Sequence, residues 1–232
     1  MITKDLQRYA CDNWNDFKVT ITEASGRGDG TVSLVQSDMK VYHFDDICLS
    51  IFDEANSPAS VDGIWIMHNG NIGLVEFKSG FKKKITKKNY DWEKARCPRN
   101  GQECEDYRDL FFKNQRAEDH ILISSIRDKT IESYVALEKH VFMCCDDFGE
   151  TRKPIKLILY IVIDEDPVES MEDMLADLAD ENLDESNHVS VIRSALKRLV
   201  GKVDSAGNTY YYDRIEVMSA KEFKCYIEER KG

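Results

Sequence analysis

Asp62, Glu76 and Lys78 combine side-chain types that can do chemistry together, within the stretch Ser60-Val-Asp62-Gly-Ile-Trp-Ile-Met-His-Asn-Gly-Asn-Ile-Gly-Leu-Val-Glu76-Phe-Lys78-Ser-Gly80. Side chains alternate faces along a strand, so Glu76 and Lys78 point one way while Val75 and Phe77 point the other. Carboxylates brought onto one face can hold a hard divalent cation, Mg²⁺ or Mn²⁺, which takes oxygen ligands and retains waters. Such an ion makes a bound water more acidic, and a neighbouring ammonium orients that water and stabilises developing negative charge. The plain alternative is a charged, solvated face on an edge strand.

The Glu-x-Lys spacing alone is weak. Asp16-Phe17-Lys18 and Glu222-Phe223-Lys224 also satisfy it, in segments that read as helices without a partner Asp. The copy at 76–78 differs by its setting, because two apolar runs, Val61–Met67 and Ile72–Lys78, flank His68-Asn69-Gly70-Asn71, a strong hairpin signal. Directly opposed residues in an antiparallel pair share a face. A two-residue Asn69-Gly70 loop would set Asp62 opposite Phe77, on the wrong face, so a shared site requires an odd loop. The expected register is a three-residue loop, Asn69-Gly70-Asn71, with one residue left-handed. It pairs His68 with Ile72 and sets Asp62 opposite Lys78 and diagonal to Glu76; an equivalent bulge would serve as well.

The other elements must hold that hairpin. Residues 3–17 read as an amphipathic helix with Leu6, Tyr9, Ala10, Trp14 and Phe17 inward. Ser25–Gly30 reads as a plain loop without a phosphate-loop pattern, and Thr31–Gln36 as a short strand. Phe44, Ile47, Cys48, Ile51, Phe52 and Ala55 recur at helical spacing and predict a helix over 41–55. A helix is expected over 105–127, with Tyr107, Leu110, Phe111, Ile121 and Ile126 inward, while 131–143 is ambiguous between helix and strand. The run over 155–163, broken only by Lys156, predicts a buried central strand. Helices at 169–181 and 187–200, a strand at 210–218 and a helix at 220–230 complete the chain.

Val61-Asp62-Gly63 followed by Val75-Glu76-Phe77-Lys78-Ser79-Gly80 resembles the PD-(D/E)xK nuclease superfamily, nearest to the RecB-type nuclease branch. Pro58 stands four residues before Asp62 instead of beside it, and the later Gln-x-x-x-Tyr motif is replaced by Gln115 and Asp119. The resemblance implies an α/β fold with a restriction-endonuclease-like core, α-β-β-β-α-β, in which helices flank a central mixed sheet. That core would span 41–165, with N-terminal helix and strand additions over 1–40 and a C-terminal α/β extension of the same domain over 166–232. It implies a Mg²⁺- or Mn²⁺-dependent nuclease that hydrolyses phosphodiester bonds through Asp62, Glu76 and Lys78. The Phe77 backbone carbonyl would be a further metal ligand, and Glu54, with Asp46 as the alternative, the acidic group from the preceding helix. His43 and Gln115 are accessory candidates. The competing reading is an inactive nuclease-fold module that binds nucleic acid or a protein partner in a defence or repair assembly.

The chain has 232 residues, a net charge of −11 and 42% hydrophobic residues, the make-up of a globular protein large enough for a sizeable core. Eleven acidic and no basic residues between Asp164 and Glu185 account for all of that net charge. They mark a solvated face or a contact for a protein partner. Glu76 to Arg99 carries nine basic residues against three acidic ones. Lys82, Lys83, Lys84, Lys87 and Lys88 could meet a phosphate backbone and Tyr90 and Trp92 could stack on bases, with Lys113 and Arg116 extending the surface. Nucleic acid, DNA ahead of RNA, is the expected partner. Neither a membrane-spanning run nor a secretory signal is legible, which points to the cytoplasm. Seven scattered cysteines suit reduced thiols; a zinc site from Cys97, Cys104, Cys144 and Cys145 is the alternative, with no spacing that matches one.

Overall fold

Six strands lie in the sheet in the order in which they occur in the chain: β1 (Lys18–Thr20), β2 (Lys40–His43), β3 (Gly63–Ile66), β4 (Ile72–Lys78), β5 (Leu157–Ile163) and β6 (Arg214–Ser219). The first four pair antiparallel, whereas β4–β5 and β5–β6 pair parallel. Parallel neighbours need a long crossover, and helix α4 (Glu105–Ala136) lies in the first of these connections. The architecture is therefore α/β, a mixed sheet flanked by helices. The computed structural model describes residues 2–26, 33–67, 70–81, 91–92, 94–95, 105–142, 156–164, 188–200 and 211–230.

Both faces of the sheet are covered, so β5 is apolar throughout and buried at all seven positions. Leu157, Leu159, Ile161 and Ile163 join a core built with α1 (Ile2–Asn13), α3 (Phe44–Ile51), α4 and α5 (His188–Leu196). Ile158, Tyr160 and Val162 join the opposite core with the one-turn α2 (Ile21–Ala24) and α6 (Ala220–Glu228). Among the described residues no helix is long and apolar enough to cross a membrane.

Several boundaries differ from expectation. The predicted helix over 41–55 is a strand followed by a shorter helix: Val41 pairs with β1, Tyr42 with both β1 and β3, and α3 then runs only to Ile51. The edge strand is Lys18–Thr20, not Thr31–Gln36; of that segment residues 33–36 form no strand, and Ser25 Oγ satisfies both the N–H and the carbonyl of Val35. Thr20 ends β1 by forming a capping box with Glu23, which starts α2. Helix α4 continues beyond residue 127 to Ala136 and then into a π turn, Leu137–Val141. Ile126 is buried as expected, but Leu110 and Ile121 are exposed, and next to Ile121 it is Leu122 and Ile123 that pack against the core. The acidic segment 165–185, including the expected 169–181 helix, and Cys97, Cys104, Cys144 and Cys145 lie outside the described residues.

Candidate functional site

The β3–β4 hairpin turns through an odd loop, one residue earlier than predicted. Ile66 pairs with Ile72, Met67 N–H donates to Asn71 O at 2.9 Å, and Gly70 N–H donates to Met67 O at 2.9 Å. Gly70 has φ +92°, the left-handed position that such a turn demands and that glycine adopts without strain. The expected His68–Ile72 pairing is thus corrected to Ile66–Ile72. Gly63 lies opposite Val75, and continuing the register sets Asp62 opposite Glu76, not opposite Lys78. The parity is unchanged, so both carboxylates still reach one face.

Neighbouring elements fix Asp62 just before β3. Phe44 N–H at the start of α3 donates to Asp62 O at 3.1 Å. Val61 N–H donates to Ser133 Oγ at 2.8 Å and Ala59 N–H to Glu132 Oε2 at 2.6 Å, both on α4, while Ser60 Oγ donates to Asp45 on α3. The Asp62 side chain reaches across to β4, where its Oδ2 accepts the Phe77 N–H at 2.5 Å. A strand residue presents its N–H and carbonyl to the same neighbour, so the Phe77 carbonyl shares that edge with Asp62.

Glu76 is fully buried, and its Oε1 has no hydrogen-bond partner among the described residues. Its Oε2 meets Lys129 Nζ at 3.1 Å, and the same ammonium lies 3.5 Å from Asp62 Oδ1. Burial, then the charge of Asp62, pushes the Glu76 carboxyl up to about 8, against the pull of Lys129 and Lys78. Burial likewise lifts Asp62 to about 6 while Lys129 and the Phe77 N–H oppose it. Burial works to lower Lys129, but the negative charges of Glu76, Asp62 and Asp45 outweigh it and hold the ammonium above its usual value.

Lys78 shares the Glu76 face, and its Nζ donates to Ser125 Oγ on α4 at 3.1 Å. One face of α4 therefore tracks the base of the hairpin: Ser125 meets Lys78, Lys129 meets Glu76 and Asp62, and Ser133 meets Val61. These three are four residues apart, the spacing of one helix stripe. Lys129 is absent from the sequence reading because the predicted helix stopped at 127. The Ser125–Lys129–Ser133 stripe was the available signal.

The accessory candidates fare less well. Glu54 is exposed in the turn beyond α3, and the acidic residue that acts on Asp62 from α3 is Asp45, not Glu54 or Asp46. His43 ends β2, where its Nδ1 accepts the Asp46 N–H at 3.3 Å and caps α3, and its ring nitrogen lies 3.0 Å from the Asp46 carboxylate. Pairing with Gly63 aligns His43 with Val75, the face opposite Glu76. Lys113 and Arg116 are exposed on α4, about 24 and about 20 Å along the axis from Lys129 at 1.5 Å per residue. Trp92 is exposed. Lys82, Lys83, Lys84, Lys87, Lys88 and Tyr90 lie outside the described residues, as does the side chain of Gln115. Glu222, in one of the two other triplets, is used in the capping box of α6 with Ser219, and Phe223 is buried core.

The donor set is one a Mg²⁺-like ion accepts: carboxylate oxygens from Asp62 and Glu76, one of them buried and unpartnered, with the Phe77 carbonyl on the same edge. Among the described residues no three His, Cys, Asp or Glu side chains are gathered closely enough to hold a metal by themselves, and Mg²⁺ characteristically completes its shell with water. No family model, curated protein or solved structure gives a significant match to the chain.

Proposed function

We propose that the chain is a metal-dependent nuclease with a restriction-endonuclease-like core, hydrolysing phosphodiester bonds of DNA ahead of RNA. The observation that carries this reading is the buried pairing of Asp62 and Glu76 on one sheet face, with a Glu76 oxygen that no group among the described residues satisfies. Antiparallel β2 to β4, followed by α4 and the parallel β5, support that core, although α3 stands between β2 and β3 and not ahead of all three strands as the α-β-β-β-α-β order expects.

Asp62, Glu76 and the Phe77 carbonyl would hold Mg²⁺ or Mn²⁺, which supplies positive charge at the scissile phosphate and a more acidic water. Lys78 extends from the same strand face and is steadied by Ser125; its role is to orient the attacking water and stabilise charge that develops on the phosphate oxygens. Asp62 is aimed by its bond from Phe77 N–H, which links the two strands at the point where the ion would bind. The basic stretch from Lys82 to Lys88 follows Lys78 directly in the chain and supplies charge for backbone contacts.

The test is incubation with single- and double-stranded DNA and RNA in Mg²⁺, Mn²⁺ or EDTA. Cleavage should need the metal and vanish in Asp62→Asn and in Lys78→Ala, with both variants folded by circular dichroism. Equal cleavage by folded Lys78→Ala and wild type would refute the role of Lys78. One observation favours a second reading, an inactive nuclease-fold module: Lys129 already neutralises part of the charge on the carboxylate pair. Retained nucleic-acid binding with neither metal binding nor cleavage would select it.

A further inference from the structure

Lys129 Nζ contacts one oxygen of each paired carboxylate, Glu76 Oε2 at 3.1 Å and Asp62 Oδ1 at 3.5 Å. Asp62 Oδ2 is engaged by Phe77 N–H and Glu76 Oε1 is the carboxylate oxygen left unpartnered among the described residues, so a cation bridging the two residues would have to share Asp62 Oδ1 with the ammonium. Helix α4 is held in place by contacts that do not involve Lys129: Ser125 with Lys78, Ser133 with Val61, and the Tyr212 hydroxyl donating to Thr130 O at 2.7 Å. The ammonium is therefore placed over the pair by the fold. Its side chain nonetheless keeps 23% of its surface exposed, against 1% for Glu76, and a lysine carries its charge on a flexible four-carbon stem. It has both a position between the carboxylates and a way out to solvent.

We propose that Lys129 is an internal counter-ion that occupies the cation position between Asp62 and Glu76 and has to be displaced for a divalent metal to enter. The inference rests on the metal-site reading of this pair. Two adjacent buried carboxylates repel each other unless a positive charge lies between them, and an ammonium and a divalent cation that shared Asp62 Oδ1 would repel each other strongly at such close range in a buried site. Lys129 thus positions the pair in the metal-free protein and weakens its hold on metal. Lys78 does not compete in this way, because its ammonium is bonded to Ser125.

The experiment is calorimetric titration of the full chain with Mn²⁺, comparing wild type, Lys129→Gln, Lys129→Arg and an Asp62→Asn control. Folded Lys129→Gln, which removes the charge at similar length, should bind Mn²⁺ at least tenfold more tightly than wild type. Lys129→Arg, which keeps the charge, should bind no more tightly than wild type, and Asp62→Asn should lose the binding. A purely structural role would alter melting temperature without this order of affinities. Equal or weaker affinity in folded Lys129→Gln overturns the proposal while leaving the metal site intact. Binding by Lys129→Gln alone supports it and favours the inactive-module reading. No binding by any form overturns the metal site itself, and with it this inference. Should the variants fail to fold, Mg²⁺ titration of wild type is followed through the Lys129 side-chain NMR resonances. These should move to saturation with the metal; resonances unmoved while Mg²⁺ binds overturn the displacement.

Discussion

Replacing Glu76 by Gln should make the metal-free protein more stable while abolishing metal-dependent cleavage. Glu76 is completely buried, one of its oxygens lacks a partner among the described residues, and burial together with Asp62 raises its carboxyl to about 8. In the unfolded chain a glutamate ionises near pH ~4.3. Between those values the unfolded chain releases a proton that the folded chain retains. The contribution of Glu76 to stability is thus fully present below about pH 4 and is lost as pH rises through about 8. Each pH unit in that window costs about 1.4 kcal/mol, roughly 4 kcal/mol by pH 7 and about 1 kcal/mol by pH 5. An amide has the same shape and no proton to lose. Allowing for the charge-assisted bond that Lys129 gives up, about 2 kcal/mol of gain remain at pH 7, or about 4–8 °C in Tm for a chain of this size. Urea unfolding in EDTA at pH 5 and pH 7, with unchanged slopes, measures it. A Glu76→Gln protein less stable than wild type at pH 7, or equally favoured at both pH values, would refute the reasoning. The expected result places the buried carboxylate among groups kept for function at a cost in stability.

The same measurements test three further sites. Asp164 accepts Gly80 N–H and Phe81 N–H, each at 2.9 Å, on its two carboxylate oxygens; Asp164→Asn loses one acceptor and should cost about 1–2 kcal/mol in urea unfolding. Gly70→Ala forces a side chain onto φ +92° in the hairpin loop and should cost about 1–2 kcal/mol; no loss would show that the loop can adopt another turn. Phe223→Ala empties a fully buried position between Phe77 and Tyr160, behind the Glu76 strand, and should cost about 3–5 kcal/mol with a matching fall in Tm.

Local patterns in the sequence carried the elements that hold the site. The Asn-Gly loop between apolar runs marked the hairpin, and alternation put Glu76 and Lys78 on one face. The requirement for an odd loop already followed from Asp62 and Glu76 having to meet. The unbroken run of β5 marked a strand buried on both faces, and the spacing of Phe44, Ile47 and Cys48 marked α3. Each of these depends on the period of one element, which neighbouring residues alone set.

What periodicity could not supply was decided by pairing between distant segments. Val41 stands three residues before Phe44 and so fits the helical stripe of α3, yet its pairing with β1, and that of Tyr42 with β1 and β3, draws the segment into the sheet. The register was set by Gly70, whose left-handed backbone could close the loop one residue earlier than predicted and so moved Asp62 from Lys78 to Glu76. The charge that acts on Asp62 from α3 is that of Asp45, and Glu54 stands exposed in the turn beyond the helix because α3 ends at Ile51. Lys129 lies 53 residues from Glu76 in sequence, and no spacing rule links a helix residue to a strand so far away. The packing of α4 across the hairpin brings the ammonium to the two carboxylates, and that contact exists only in three dimensions.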